Sequence, residues 1–107
     1  DTGPGFHGLR KQVKGEPVFS LTPFSSYLSG GSCRLLPNDS LEKVVRYGRK
    51  TGVRWLLISR TQSTLSELRF YANAQWYWNR SLEKNYPDLV RFCCGTADGS
   101  LALYEIL

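Results

Sequence analysis

Apolar positions in this 107-residue chain recur in short blocks, and their spacing switches repeatedly between the helical and the strand period. Phe6, Leu9 and Val13 stand at i, i+3 and i+7, so residues 6–14 predict a short helix. Gly15 ends it and Pro17 bars its continuation. Residues 18–21 then read as a short strand. Pro23 suits a first helical position, and Gly30-Gly31 stops the helix it opens. A second strand is expected over residues 33–36, closed by Pro37.

The clearest helix is predicted over residues 40–51. Leu41, Val44, Val45 and Gly48 form one stripe, while Glu42, Lys43, Arg46, Arg49 and Lys50 face water. Asp39 or Ser40 can cap its start, and Asp39 with Glu42 has capping-box spacing. Gly52 fits the left-handed position past its end. Residues 53–59 follow at once and contain Trp55, Leu56, Leu57 and Ile58, which suits a central strand covered on both faces. Thr64 and Glu67 have capping-box spacing and open a helix to about residue 73. Residues 75–85 fit neither period, because Trp76, Tyr77 and Trp78 are consecutive. Asp98-Gly99 separates two apolar runs, 89–94 and 100–106, and predicts a β-hairpin.

This order predicts a single three-layer α/β domain over residues 8–107, after a flexible lead-in at 1–7. Right-handed crossovers make the first three strands parallel, in order 2-1-3. Adding the hairpin strands in turn gives a mostly parallel sheet of order 2-1-3-4-5 ending in an antiparallel hairpin.

Composition narrows the class. An apolar fraction of 41% is that of a folded domain, not a disordered chain. No apolar run approaches the ~18 residues that span a bilayer. The chain starts at Asp1 and contains no Met, so it reads as part of a longer polypeptide. Its net charge of +5 fits either an anionic partner or a solvated basic surface. Three cysteines, Cys33, Cys93 and Cys94, define no disulfide framework. Cys93 and Cys94 are adjacent in a strand-like run and are expected on opposite faces.

Candidate chemistry is sparse. Open α/β sheets bind ligands beyond the carboxyl ends of their strands. Here the third such end carries Ser59, Arg60 and Thr61 and leads towards a helix start, a combination able to hold a phosphate. The same residues equally serve as loop and helix cap. The single histidine, His7, lies in the lead-in region, outside the predicted sheet core, so no Ser/His/Asp or Cys/His arrangement is expected. No catalytic, metal-binding or cofactor-binding set is expected. Glu105, inside the last strand, is the acid left without a local explanation. Trp76 and Trp78, with Tyr77, Arg69 and Arg80, fit core cover, a membrane or partner interface, or stacking on nucleic-acid bases or sugars, with nucleic acid the weakest of these.

Several stretches carry a resemblance. These are Gly8-Leu9-Arg10, residues 17–31 (PVFSLTPFSSYLSGG), residues 36–58 (LPNDSLEKVVRYGRKTGVRWLLI), residues 87–90 (PDLV) and residues 101–106 (LALYEI). Together they resemble the C-terminal soluble domain of bacterial membrane glycosyltransferases of the protein O-mannosyltransferase and aminoarabinose transferase type. The resemblance runs over about residues 8–107 and is weakest across 61–86. It implies an accessory domain on the extracytoplasmic (periplasmic) face of a bacterial inner membrane. Membrane helices of the same polypeptide would hold the lipid-linked sugar donor. The family's catalytic carboxylate lies in a loop outside this stretch, so no catalytic residue carries over and the domain is expected to be inactive alone. Partners implied are the membrane-embedded part of the same polypeptide and glycan or lipid-phosphate headgroups. The alternative is a free-standing α/β module that binds a phosphate-bearing or sugar ligand at the loops after Leu21, Leu36 and Ser59.

Overall fold

The computed structural model describes residues 11–21, 32–60, 73–78, 82–96 and 99–107. The expected helices after Pro23 and Thr64, and the lead-in at 1–7, lie outside these residues. Five strands form one mixed sheet: β1 Pro17–Ser20, β2 Ser32–Leu35, β3 Trp55–Ser59, β4 Val90–Gly95 and β5 Leu101–Ile106. The helices are α1, Leu41–Thr51, and the single turn α2, Leu82–Asn85, with a 3-10 turn at Gln75–Trp78.

Strand order is β2-β1-β3-β5-β4, with β1 parallel to both β2 and β3 and β5 antiparallel to β3 and β4. The α/β class and the 2-1-3 half are as the sequence predicts. The hairpin half is a correction, because β5, not β4, lies beside β3. The reason is which strand tolerates two covered faces. β5 buries Leu101, Leu103, Tyr104 and Ile106, whereas β4 exposes Arg91 and Phe92. Moving Arg91 to an inner strand would desolvate its charge, so β4 takes the edge.

Period-2 alternation divides the core between the two faces of the sheet. Phe19, Leu56, Ile58, Tyr104 and Ile106 meet the buried stripe of α1, together with Trp76, Tyr77 and Leu82. Val18, Trp55, Leu57, Leu101 and Leu103 form a second cluster with Val13. Val13 closes a helical turn at residues 11–13, which ends where Lys14 and Gly15 adopt φ of 52° and 78°.

Local chemistry accounts for α1. Ser40 is the N-cap, and its hydroxyl accepts from the Lys43 N–H at 3.4 Å. Asp39 instead accepts from the Ser40 N–H at 3.2 Å. At the far end Gly52 adopts φ 79° and donates its N–H to the Gly48 carbonyl. The hairpin is tied by Thr96, whose carbonyl accepts from Gly99 N–H and whose hydroxyl accepts from Leu101 N–H.

Two further features answer open points in the sequence. A bulge between Phe92 and Cys94 makes Cys93 the extra residue of β4. Both Cys93 and Cys94 therefore pack against the second cluster, not on opposite faces. Glu105 is not a bare edge acid. It pairs with Arg91 and lies 3.8 Å from Arg54, which in turn reaches Glu16 at 3.6 Å and covers the Trp55 ring at 4.7 Å.

Candidate functional site

Parallel strands β1 and β3 end side by side, and both ends are polar inside the fold. Ser20 and Ser59, the last residues of these strands, are the two buried polar side chains among the described residues. The β2-to-β3 connection through α1 covers one face of the sheet. Ala74, Trp76, Tyr77 and Leu82, which lie in the chain between β3 and β4, pack on that same face. Around the Ser59 end stand Arg60 and Tyr77, and further back along β3 Tyr104 of β5 lies opposite Leu56 with Glu83 beside it.

Tyr77 is the centre of this group. It is fully buried, and its hydroxyl accepts from the Ser59 N–H at 2.8 Å while lying 3.4 Å from the Ser59 carbonyl. A 3-10 turn makes this reach possible. It brings consecutive Trp76 and Tyr77 into the same core, with ring centroids 5.8 Å apart. Trp76 is 8% exposed, and its indole N–H donates to the Asp39 carbonyl at 2.8 Å, tying the turn to the start of α1.

Electrostatics here favour neutral forms. Burial pushes the Tyr77 hydroxyl up to about 12, against opposing effects of the Ser59 main chain and Arg60. Burial and then the neighbouring Glu83 carboxylate raise Tyr104 to about 12 as well. One Glu83 carboxylate oxygen is itself buried without a hydrogen-bond partner. On β4, burial and the adjacent Cys93 hold the Cys94 thiol at about 12. A protonated phenol or thiol is a hydrogen-bond donor and a poor nucleophile or base at neutral pH.

Of the residues singled out from sequence, Ser59 and Arg60 do flank the carboxyl end of β3. Ser59 is 2% exposed, and the Arg60 N–H donates to Ser100 at 2.7 Å. Thr61 lies outside the described residues. Trp78 closes the 3-10 turn, and its side chain also lies outside them. Trp76 is spent in the core, so little of it reaches solvent. Nothing local in sequence joins Glu83 of α2 to Tyr104 of β5; only the fold brings them together.

A second feature lies on the surface. A groove of about 460 Å³ runs between the end of β2 and the outer side of α1. Its walls are Leu35, Pro37, Lys43, Arg46, Tyr47 and Lys50, with Asp39 at one end. Leu35 is 65% exposed and Tyr47 52%, the two most exposed large apolar side chains among the described residues. Among the described residues no group of three potential metal ligands converges. No described helix is long and apolar enough to cross a membrane.

Comparison with protein-family models, curated proteins and solved structures found no match to this chain.

Tyr77→Phe is expected to destabilise the fold by about 1–3 kcal/mol, since it removes the acceptor that meets a buried N–H. The same variant reports on alkaline pH. An unfolded tyrosine ionises near 10, whereas Tyr77 keeps its proton to about 12. Unfolding therefore releases a proton between these values, and stability, intact below pH 10, falls as pH rises to 12. Tyr77 accounts for about 2–3 kcal/mol of that loss at roughly 1.4 kcal/mol per unit. Urea midpoints measured across pH 9–12 should decline less steeply in Tyr77→Phe. An equal slope in both proteins would rule out Tyr77 as the source.

Proposed function

We propose that this chain is the extracytoplasmic accessory domain of a membrane-bound glycosyltransferase that uses a lipid-linked sugar donor, and that it is not catalytic by itself. The observation that carries the proposal is residues 36–58. This longest stretch of the resemblance spans capped α1 and the β3 strand it feeds into, which is buried along its whole length.

Reading the coding sequence directly upstream of Asp1 is the test. Several apolar stretches of ~20 residues each are expected there. A start codon next to Asp1 would end this reading. The purified domain should also transfer no sugar from a polyprenyl-phosphate donor.

A second reading has its own observation. Ser20 and Ser59 are buried at neighbouring strand ends beside Arg60, where open α/β sheets place ligands. A free-standing module binding phosphates or sugars there would show NMR shifts at Ser20, Ser59 and Arg60 on titration with inorganic phosphate, nucleotides or simple sugars. Unmoved signals would remove it.

A further inference from the structure

We infer that the groove between β2 and α1 is a docking face for a bilayer surface bearing anionic phosphate headgroups. This goes beyond the accessory-domain reading and stands on the groove alone.

Lys43, Arg46, Tyr47 and Lys50 stand at i, i+3, i+4 and i+7 of α1, so they share one face. The opposite stripe, Leu41, Val44, Val45 and Gly48, is consumed by the core. Along α1 as a whole, Lys43, Arg46, Arg49 and Lys50 stand against one carboxylate, Glu42. At the helix start, Asp39 lies 3.6 Å from Lys43 and offsets part of one charge. Arg49 is turned away, bonded to the Leu107 carbonyl. Lys43, Arg46 and Lys50 therefore define the groove's field.

Between these cations lies apolar surface. Leu35 projects from the edge strand β2, and Pro37 follows it. The ring of Tyr47 stacks at 6.0 Å on Phe19, which holds it upright at the surface. An apolar centre rimmed by long cationic side chains matches a headgroup layer. Tyr and Leu enter the boundary of the acyl region while Lys and Arg extend to phosphates. Charge complementarity favours this occupant over an added peptide strand. The cations line the helix, whereas a strand seated on the edge of β2 would meet chiefly Arg34 and Leu35.

Each cation near an anionic bilayer strengthens binding by about five-fold. Co-sedimentation of the 107-residue chain with phosphatidylcholine vesicles containing about one-third phosphatidylglycerol tests the inference. Binding is expected to these vesicles, with little to pure phosphatidylcholine, and to weaken at about 0.5 M salt. The triple variant Lys43→Gln, Arg46→Gln, Lys50→Gln should lose on the order of 100-fold in partitioning. Lys11→Gln, Lys14→Gln, Lys84→Gln removes the same charge from other exposed positions and should lose far less. Leu35→Ser should weaken binding without changing its salt dependence. All these positions are exposed, and urea midpoints establish that the variants are folded. Equal losses from the two triple variants would overturn the inference, as would failure to bind the anionic vesicles. So would capture of an acidic peptide by the groove with no vesicle binding.

Discussion

Leu56→Ala lowers the stability of this domain by about 3 kcal/mol, inside the ~2–5 kcal/mol span of buried Leu truncations. Leu56 is 0% exposed in the central strand, paired with Phe19 on β1 and Tyr104 on β5. Its side chain enters the cluster beneath α1, where Val44, Val45 and Tyr77 also pack. A pleated strand hydrogen-bonded on both sides cannot collapse into the space, so the cavity persists. For a domain holding about 5–15 kcal/mol in total, this is a large share. Urea denaturation should show a lower midpoint at unchanged slope. Leu35→Ala, on an exposed side chain, should change stability by less than about 0.5 kcal/mol. Similar shifts from the two would mean that β3 is not the central covered strand.

The second large effect comes from a residue with no side chain. Gly48 lies in the buried stripe of α1, packed closely against the sheet. A Cβ there would stand 2.9 Å from the Val53 carbonyl oxygen, 3.0 Å from Ile106 Cδ1 and 3.1 Å from Phe19 Cε2. The side-chain atoms can give way, but the Val53 carbonyl is main chain and cannot move alone. Alanine would gain about 1 kcal/mol of helix propensity, so Gly48→Ala sets that gain against the contact. Gly48→Val adds two methyl groups and a stiff χ1 to the same clash, and is expected to cost about 3 kcal/mol or more. Gly52 is the control. It needs its left-handed φ of 79° but has nothing within 4 Å of a Cβ, so Gly52→Ala should cost only about 1 kcal/mol of backbone strain. Thermal or urea unfolding of the three variants orders them. If Gly48→Val were no worse than Gly52→Ala, the close approach of α1 to the sheet would be refuted.

Legibility from sequence differed sharply between elements. α1 was readable to within a residue at both ends, since cap, stripe and stop are all local: Ser40, then Leu41 to Gly48, then Gly52. β3 was readable because five consecutive residues can be buried only where both faces are covered. The hairpin was readable from Asp98-Gly99, although those residues say nothing about which arm faces inward. That choice depends on how Arg91 and Phe92 fare against the rest of the sheet, and only the assembled sheet imposes that test. The Cys93 bulge was hidden for a similar reason. A one-residue slip costs little locally, and its position depends on cross-strand partners such as Tyr104 and Leu103.

The candidate sites divide in the same way. The polar end of β3 at Ser59 and Arg60 was visible, because strand ends in α/β sheets follow from topology. Tyr77 as its internal hydrogen-bond partner was not, since consecutive aromatics fit no single period until a 3-10 turn folds Trp76 and Tyr77 inward. The cationic spacing on α1 was on view in sequence as a water-facing side. Its apolar partner, Leu35, became part of that face only once β2 lay beside the helix. Sequence alone thus determined the α/β class, the limits of α1, the buried character of β3 and the basic charge, because periodicity, caps and turns are encoded within a few residues. Tertiary structure alone decided the 5-4 strand order, the bulge, the ion pairs of Glu105 and the β2–α1 groove. Each of these depends on contacts between residues far apart in the chain, where burial and charge on one element set the place of another.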